Sequence, residues 1–213
     1  MSSPISETQQ KWIGSLLFLT LVMLGSFLIW GRFGEQTKTE EHWRSSDLSP
    51  RPVLGAFGQA PEFSLTERSG NNFSSSDLKD RVWIADFIFT SCAGQCPMMS
   101  AHMQRLQTLF PKTSGPQLVS FTVDPARDNP QVLSEYADRF SADKDRWFFL
   151  TGRQDKMNRI LKEFLLSGVD EPAMHSTRFI LVDPSGTIRG YYDSTDAGSM
   201  NRLVNDAKSL LQR

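Results

Sequence analysis

The sequence predicts an α/β fold, a central mixed sheet flanked by helices, carried behind an N-terminal transmembrane helix. Three observations lead there. Residues 12–31, WIGSLLFLTLVMLGSFLIWG, contain no charged side chain. From Ala60 onward, short apolar runs rich in β-branched and aromatic residues alternate with segments of helical periodicity. The only two cysteines, Cys92 and Cys96, stand where one such run gives way to a helical segment.

Composition narrows the field. A chain of 213 residues is long enough for one domain with an ordinary apolar core. Charges nearly cancel, 23 Lys and Arg against 24 Asp and Glu, so there is neither a basic footprint for nucleic acid nor an acidic tail. Two cysteines are too few to staple a small secreted scaffold.

The N-terminal apolar run is read as a retained anchor over residues 12–31, after a tail of residues 1–11. At about 1.5 Å per residue it reaches roughly 30 Å, the thickness of a bilayer core. Trp12 and Trp30 sit near its ends, where indole rings favour the interface. A cleaved signal peptide fits less well, because the run is too long and no A-x-A site follows; without a cysteine nearby, a lipid-modified anchor is excluded. The head MSSPISETQQK lacks arginine and so differs from a mitochondrial transit peptide. The expected location is a bacterial plasma (inner) membrane, single-pass, with the soluble domain on the extracytoplasmic side. Lys11 on one flank and Arg32, Lys38 and Arg44 on the other do not decide orientation by charge alone. Residues 32–55 are polar and proline-containing and read as a tether; residues 56–213 form the domain.

Within the domain, PEFSLTERSGNNFSSSDLKDR gives two short strands around a Ser-Gly-Asn-Asn turn, then a helical turn capped by Ser76. VWIADFIFT is a buried central strand, and MMSAHMQRLQTLF is a helix with Met99, Met103, Leu106 and Phe110 inward. QLVSFTVD is the next strand. Asn129 and Pro130 open a helix burying Val132, Leu133, Tyr136 and Phe140. WFFLTG is a third strand, followed by a helix with Met157, Ile160, Leu161 and Phe164 inward that ends at Gly168. STRFILVDPSGTIRGYY is a hairpin turning at Asp-Pro-Ser-Gly, and a helix with Met200, Leu203, Val204 and Leu210 closes the chain. Alternating strands and helices imply a mostly parallel sheet, with the final hairpin adding antiparallel strands. This is the thioredoxin-like plan, and the cysteine loop falls at the carboxyl end of a central strand, where open α/β sheets place their functional loops.

Cys92 and Cys96 can form a structural disulfide, a redox couple or a pair of metal ligands. At a helix N-terminus the free N–H groups and the helix dipole favour thiolate, which suits nucleophile and soft ligand alike. An i,i+4 pair on a regular helix has Cβ atoms about 5–6 Å apart, wide for a relaxed disulfide, although the loop at Gly94 could tighten it. Pro97 suits the first helical turn. Far along the chain, in EPAMHSTRFILVD, His175 stands just ahead of a strand, where this fold usually carries a proline; Pro172 lies three residues earlier. Two thiolates and an imidazole suit copper, Cu(I) above all. Zinc takes the same atoms but generally wants a fourth protein ligand, for which Met174 is the nearest candidate and a weak one.

FTSCAGQCPMM, SFTVDPARDNP and HSTRFILVDPSG, in that order and spanning residues 55–211, resemble the three signature segments of the SCO/SenC family of membrane-anchored, thioredoxin-like copper proteins. The chain departs from the family pattern at Ala93, Asn129 and Met174. The resemblance implies copper, Cu(I) and/or Cu(II), held by Cys92, Cys96 and His175, with Cys92 and Cys96 also a redox-active pair. It implies a metallochaperone taking part in copper delivery to the dinuclear copper site of cytochrome c oxidase. A copper-site subunit of that oxidase, a copper donor and a thiol reductant would then be partners. A membrane-anchored thiol-disulfide oxidoreductase acting on the cysteines of a copper-site protein is the alternative. A peroxidase fits poorly, because T-S-C lacks the T-x-x-C spacing.

The remaining polar and sulfur residues have plainer readings. His102 is a helix-face residue, with a ligand role as the alternative, and His42 belongs to the tether. Met98, Met99 and Met103 have core spacing more than copper-site spacing. Asp124, Arg127 and Asp128 follow a strand end and read as capping and ion-pairing residues, the alternative being a role in shaping the loop or a docking face. Asp86, inside an apolar strand, can tune a nearby thiol or pair with a neighbour.

Overall fold

The computed structural model describes residues 54–166 and 177–212. The expected anchor, nearly all of the tether, Gly168, Met174 and His175 therefore lie outside the described residues. Among the described residues no helix is long and apolar enough to cross a membrane.

The strands are β1 (Ser64–Glu67), β2 (Asn72–Ser74), β3 (Trp83–Ile88), β4 (Gln117–Thr122), β5 (Trp147–Thr151), β6 (Arg178–Val182) and β7 (Ile188–Asp193). The helices are α1 (Gln95–Leu109), α2 (Pro130–Arg139), α3 (Gln154–Leu166) and α4 (Ala197–Leu211). The strands form one sheet in the order β2-β1-β5-β4-β3-β6-β7. Only β3–β4 and β4–β5 are parallel; β1–β2, β1–β5, β3–β6 and β6–β7 are antiparallel. The expected mostly parallel sheet is thus a parallel centre between two antiparallel flanks. The pattern of runs cannot distinguish these, because the first hairpin docks on β5 from the far edge of the sheet.

Pleat alternation sends the residues of each strand to two faces. Trp83, Phe87 and Phe121 meet Phe164 of α3 on one face, at ring-centroid distances of 6.0, 5.6 and 5.7 Å. The opposite face carries Ile84, Asp86, Ile88, Leu118, Ser120, Trp147 and Phe149, and α1, α2 and α4 cover it. Tyr136 of α2 packs 6.3 Å from Phe149, His102 of α1 6.4 Å from Phe179, and the Tyr192 hydroxyl donates to Asp206 of α4 at 2.6 Å. Burial on both faces explains why β3, β4 and β5 read as near-continuous apolar runs.

Local chemistry sets the ends of the elements. Asn129 caps α2 by accepting from the Val132 N–H at 3.0 Å, with Pro130 at the first helical position. Val132 and Phe140 are only half-buried; Leu133, Tyr136 and Ala137 are the inward residues. Asp196 caps α4 through the N–H groups of Gly198 and Ser199. The β6–β7 turn ends at Gly186, whose φ of +81° favours glycine. The short 3-10 turn Ser75–Leu78 is preceded by Ser74 and not capped by Ser76: Asp77 accepts from the Ser74 N–H at 2.7 Å, so Ser76 lies inside the turn. The buried Arg146 guanidinium donates to the carbonyls of Gln107 and Phe110 at 2.9 and 2.8 Å, closing the C-terminal end of α1. The chain at Phe57–Ala60 runs along the start of β7, with Phe57 N–H donating to Ile188 O at 2.9 Å, and Leu54 is already buried. The folded domain therefore reaches back into the last residues of the expected tether.

Asp86 is the anomaly of this core. It is fully buried, and neither carboxyl oxygen makes a hydrogen bond of good geometry. The Ser120 hydroxyl, opposite in the β3–β4 register, pulls its pKa down a little, but burial dominates and pushes the group up to about 7. The folded protein then holds a proton that the unfolded chain has released above its ordinary value of 3.8. Stability is therefore expected to fall as pH rises from about 4 to about 7, and to level off above that. Keeping the charged form buried costs on the order of 4 kcal/mol. Denaturant melts of Asp86→Asn across this range should lose that slope; an unchanged slope would show that another group carries it.

Candidate metal and thiol site

The site is built on the end of β3. After Ile88 the chain makes a tight turn, with Cys92 N–H donating to Phe89 O at 3.2 Å, and α1 begins at Gln95 with Gly94 as its N-cap. The helix starts earlier than the apolar spacing alone implied, so Cys96 lies in its first turn. Pro97 is the third helical residue, where the missing N–H has no helical partner to lose.

The two cysteines are free thiols in very different surroundings. Cys92 is half-buried; burial raises its pKa, but the backbone N–H groups of Cys96, Gly94 and Gln95 and the Cys96 thiol outweigh that, and the net shift is downward. Cys96 is 6% exposed. Desolvation pushes its thiol up to about 12, helped by its hydrogen bond to Cys92 and by the nearby charges of Cys92 and Asp86. Cys92 is therefore the more readily ionised thiol of the pair, and the Cys96 thiol favours its charged form.

Around the pair, Met99, Ser100 and Met103 are buried, and the Ser100 hydroxyl meets the Tyr136 hydroxyl at 2.9 Å. Met99 and Met103 are core residues, as their spacing implied, whereas Met98 points outward at 38% exposure. His102 packs edge-on to Phe179 and bonds the backbone of Ser194, which fits its helix-face reading. Asp124 and Arg127 form an exposed ion pair at 3.0 Å.

Asp128 has a different part from the capping role read from its position. It is wholly buried; its Oδ1 accepts from Thr90 Oγ1 at 2.6 Å, and its Oδ2 from Thr90 N at 3.1 Å and Thr122 Oγ1 at 2.5 Å. Thr90 and Thr122 went unnoticed in the sequence. The available signal was a polar residue at the end of each of two adjacent apolar strands, with an acid shortly after the second.

Among the described residues, no group of three or more His, Cys, Asp or Glu side chains is arranged to hold a metal. The two sulfurs are brought together, with no third such donor beside them among the described residues.

The family model described as SCO1/SenC matches residues 53–212. The chain belongs to the SCO1/SenC family. It is 33% identical over 157 residues to the SCO1 protein homolog of Bacillus subtilis, covering 69% of this chain and 80% of that protein. It superposes with a TM-score of 0.64 on BsSco, described as a Sco-family cytochrome c oxidase assembly protein with a disulfide switch. That match has 30% identity and covers 78% of this chain and 99% of the other. Yeast Sco1 with copper bound matches at a TM-score of 0.56 and 29% identity, covering 75% of this chain and 96% of the other. The thioredoxin-like mixed sheet is thus the SCO1/SenC architecture.

The thiol asymmetry has a direct readout. Under brief iodoacetamide treatment near neutral pH, Cys92 should be alkylated about 100-fold faster than Cys96. Peptide mass spectrometry checks this, and equal labelling would contradict the surroundings described here.

Proposed function

We propose that this SCO1/SenC chain binds copper through Cys92, Cys96 and His175 and acts as a metallochaperone in assembly of the dinuclear copper site of cytochrome c oxidase. The observation that supports it most is the pair of free thiols at the N-terminal end of α1, one with a lowered pKa. The copper-bound yeast relative adds weight. Copper is the cargo here, and its soft monovalent form suits two sulfur donors. His175 would bring the imidazole from the segment leading into β6, beside β3 in the sheet. The chain's own part is to make Cys92 the more readily ionised thiol, while Cys96 must lose its proton on loading.

The proposed setting is single-pass anchorage by residues 12–31 in a bacterial plasma membrane, with the domain on the extracytoplasmic side. A copper-site subunit would be the recipient, and a copper donor and a thiol reductant would serve the pair. A second reading, thiol-disulfide exchange with the recipient's cysteines, is favoured by the same asymmetry. An accessible Cys92 thiolate is suited to attack, and a buried Cys96 to resolving the mixed disulfide.

Titration of the reduced full chain in detergent with Cu(I) against a chromogenic chelator tests the copper reading. One tight copper per chain is expected, abolished in Cys92→Ser and weakened about 100-fold or more in His175→Ala. Parent-like affinity in His175→Ala would remove the imidazole from the site. If metal-free protein reduces an oxidised copper-site subunit, and that activity survives His175→Ala but stops in Cys92→Ser, the oxidoreductase reading takes precedence.

A further inference from the structure

Both residues that flank the cysteine loop are tied to α2. On the N-terminal side Thr90, two residues before Cys92, donates its N–H and its hydroxyl to the two oxygens of Asp128, which directly precedes the α2 cap Asn129. On the C-terminal side Ser100, four residues after Cys96, meets the hydroxyl of Tyr136 in α2. Thr122 completes the first tie: its hydroxyl donates to Asp128 and accepts from the Asp124 N–H at 3.0 Å. A carboxylate with three donors and no exposure is a rigid anchor, since any shift of Thr90 strands a buried acceptor.

We propose that Asp128 is the positioning residue of the cysteine loop, latching Thr90 so that Cys92 stays beneath the N–H groups at the start of α1. This rests on the reading of Cys92 and Cys96 as the working pair. The latch favours the reduced, open pair, because it holds the chain two residues before Cys92 in the arrangement in which both thiols are free. A released loop is free to bring Cys92 onto Cys96 and moves toward the disulfide.

The test uses the full chain in detergent with Thr90→Val, which keeps the shape of the side chain and deletes one donor, Thr90→Ser, which restores it, and Asp128→Asn. Oxidation is equilibrated in glutathione buffer, where each Cys92–Cys96 disulfide formed consumes one glutathione disulfide and yields two glutathione thiols. Thr90→Val is expected to move this equilibrium toward the disulfide by about fivefold or more, and to weaken Cu(I) binding by a similar factor. Thr90→Ser should stay within about twofold of the parent. Asp128→Asn should move further in the same direction; should it fail to fold, the threonine pair still decides. The proposal is overturned if Thr90→Val lowers only the melting temperature and leaves both equilibria within about twofold, or if Thr90→Ser shifts them as far. A parent that binds no copper would sink the copper reading alone, because the glutathione equilibrium still reads the latch.

Discussion

The parallel pairing of β3 with β4 is the constraint from which the site follows. Parallel neighbours run in the same direction, so their carboxyl ends leave the sheet at the same edge. Ile88 and Thr122 are partners in that register, and the ladder continues as Val123 N–H donates to Ile88 O at 2.8 Å. The loop after β3 and the loop after β4 are therefore laid side by side, although 30 or more residues of chain, including all of α1, separate them. The Asp128–Thr90 contact exists because of this register. A one-residue slip of β4 would send Thr122 to the opposite face.

Within that frame, four residues of separation give the two thiols opposite characters. Cys92 precedes the helix and sits where backbone N–H groups converge, in partial contact with solvent. Cys96 is in the first turn and is buried, and the charge of Asp86 raises the pKa of both Cys96 and Tyr136 on top of their own burial. One thiol ionises more readily and the other less, with the hydrogen bond between them reinforcing the difference. Either copper loading or disulfide exchange has to start from this unequal pair.

Much of this was legible in the sequence. Apolar runs buried on both faces announce themselves without alternation, so β3, β4 and β5 were readable, as were α3 and α4 from their periodicity. Asn129-Pro130 gave the start of α2 because its chemistry is local. What escaped depends on distant chain. The antiparallel docking of β1 on β5, the closing of α1 by Arg146 from beyond β4, and the Thr90–Asp128–Thr122 cluster each join residues far apart in sequence. Asp128 was misread for a specific reason: next to an evident cap and within a turn, an acid resembles a local capping residue. Its burial, which decides otherwise, is a property of the sheet edge.

Asp86 and Asp128 show how differently one fold can house two wholly buried acids. Asp128 exchanges its hydration for three hydrogen bonds and acts as a fixed acceptor. Asp86 gains no bond of good geometry, and its pKa rises until the neutral acid is a substantial species near neutrality. An apolar residue at that position would spare the protein the cost of an unpaired carboxyl, as at the flanking Ile84 and Ile88. The carboxyl lies on the same face as Cys96 and raises its pKa. A buried negative charge at Asp86 therefore makes the Cys96 thiol harder to ionise. The core thus holds one acid fixed by three donors and another whose burial is uncompensated, the first tied to the loop that carries Cys92 and the second raising the pKa of Cys96.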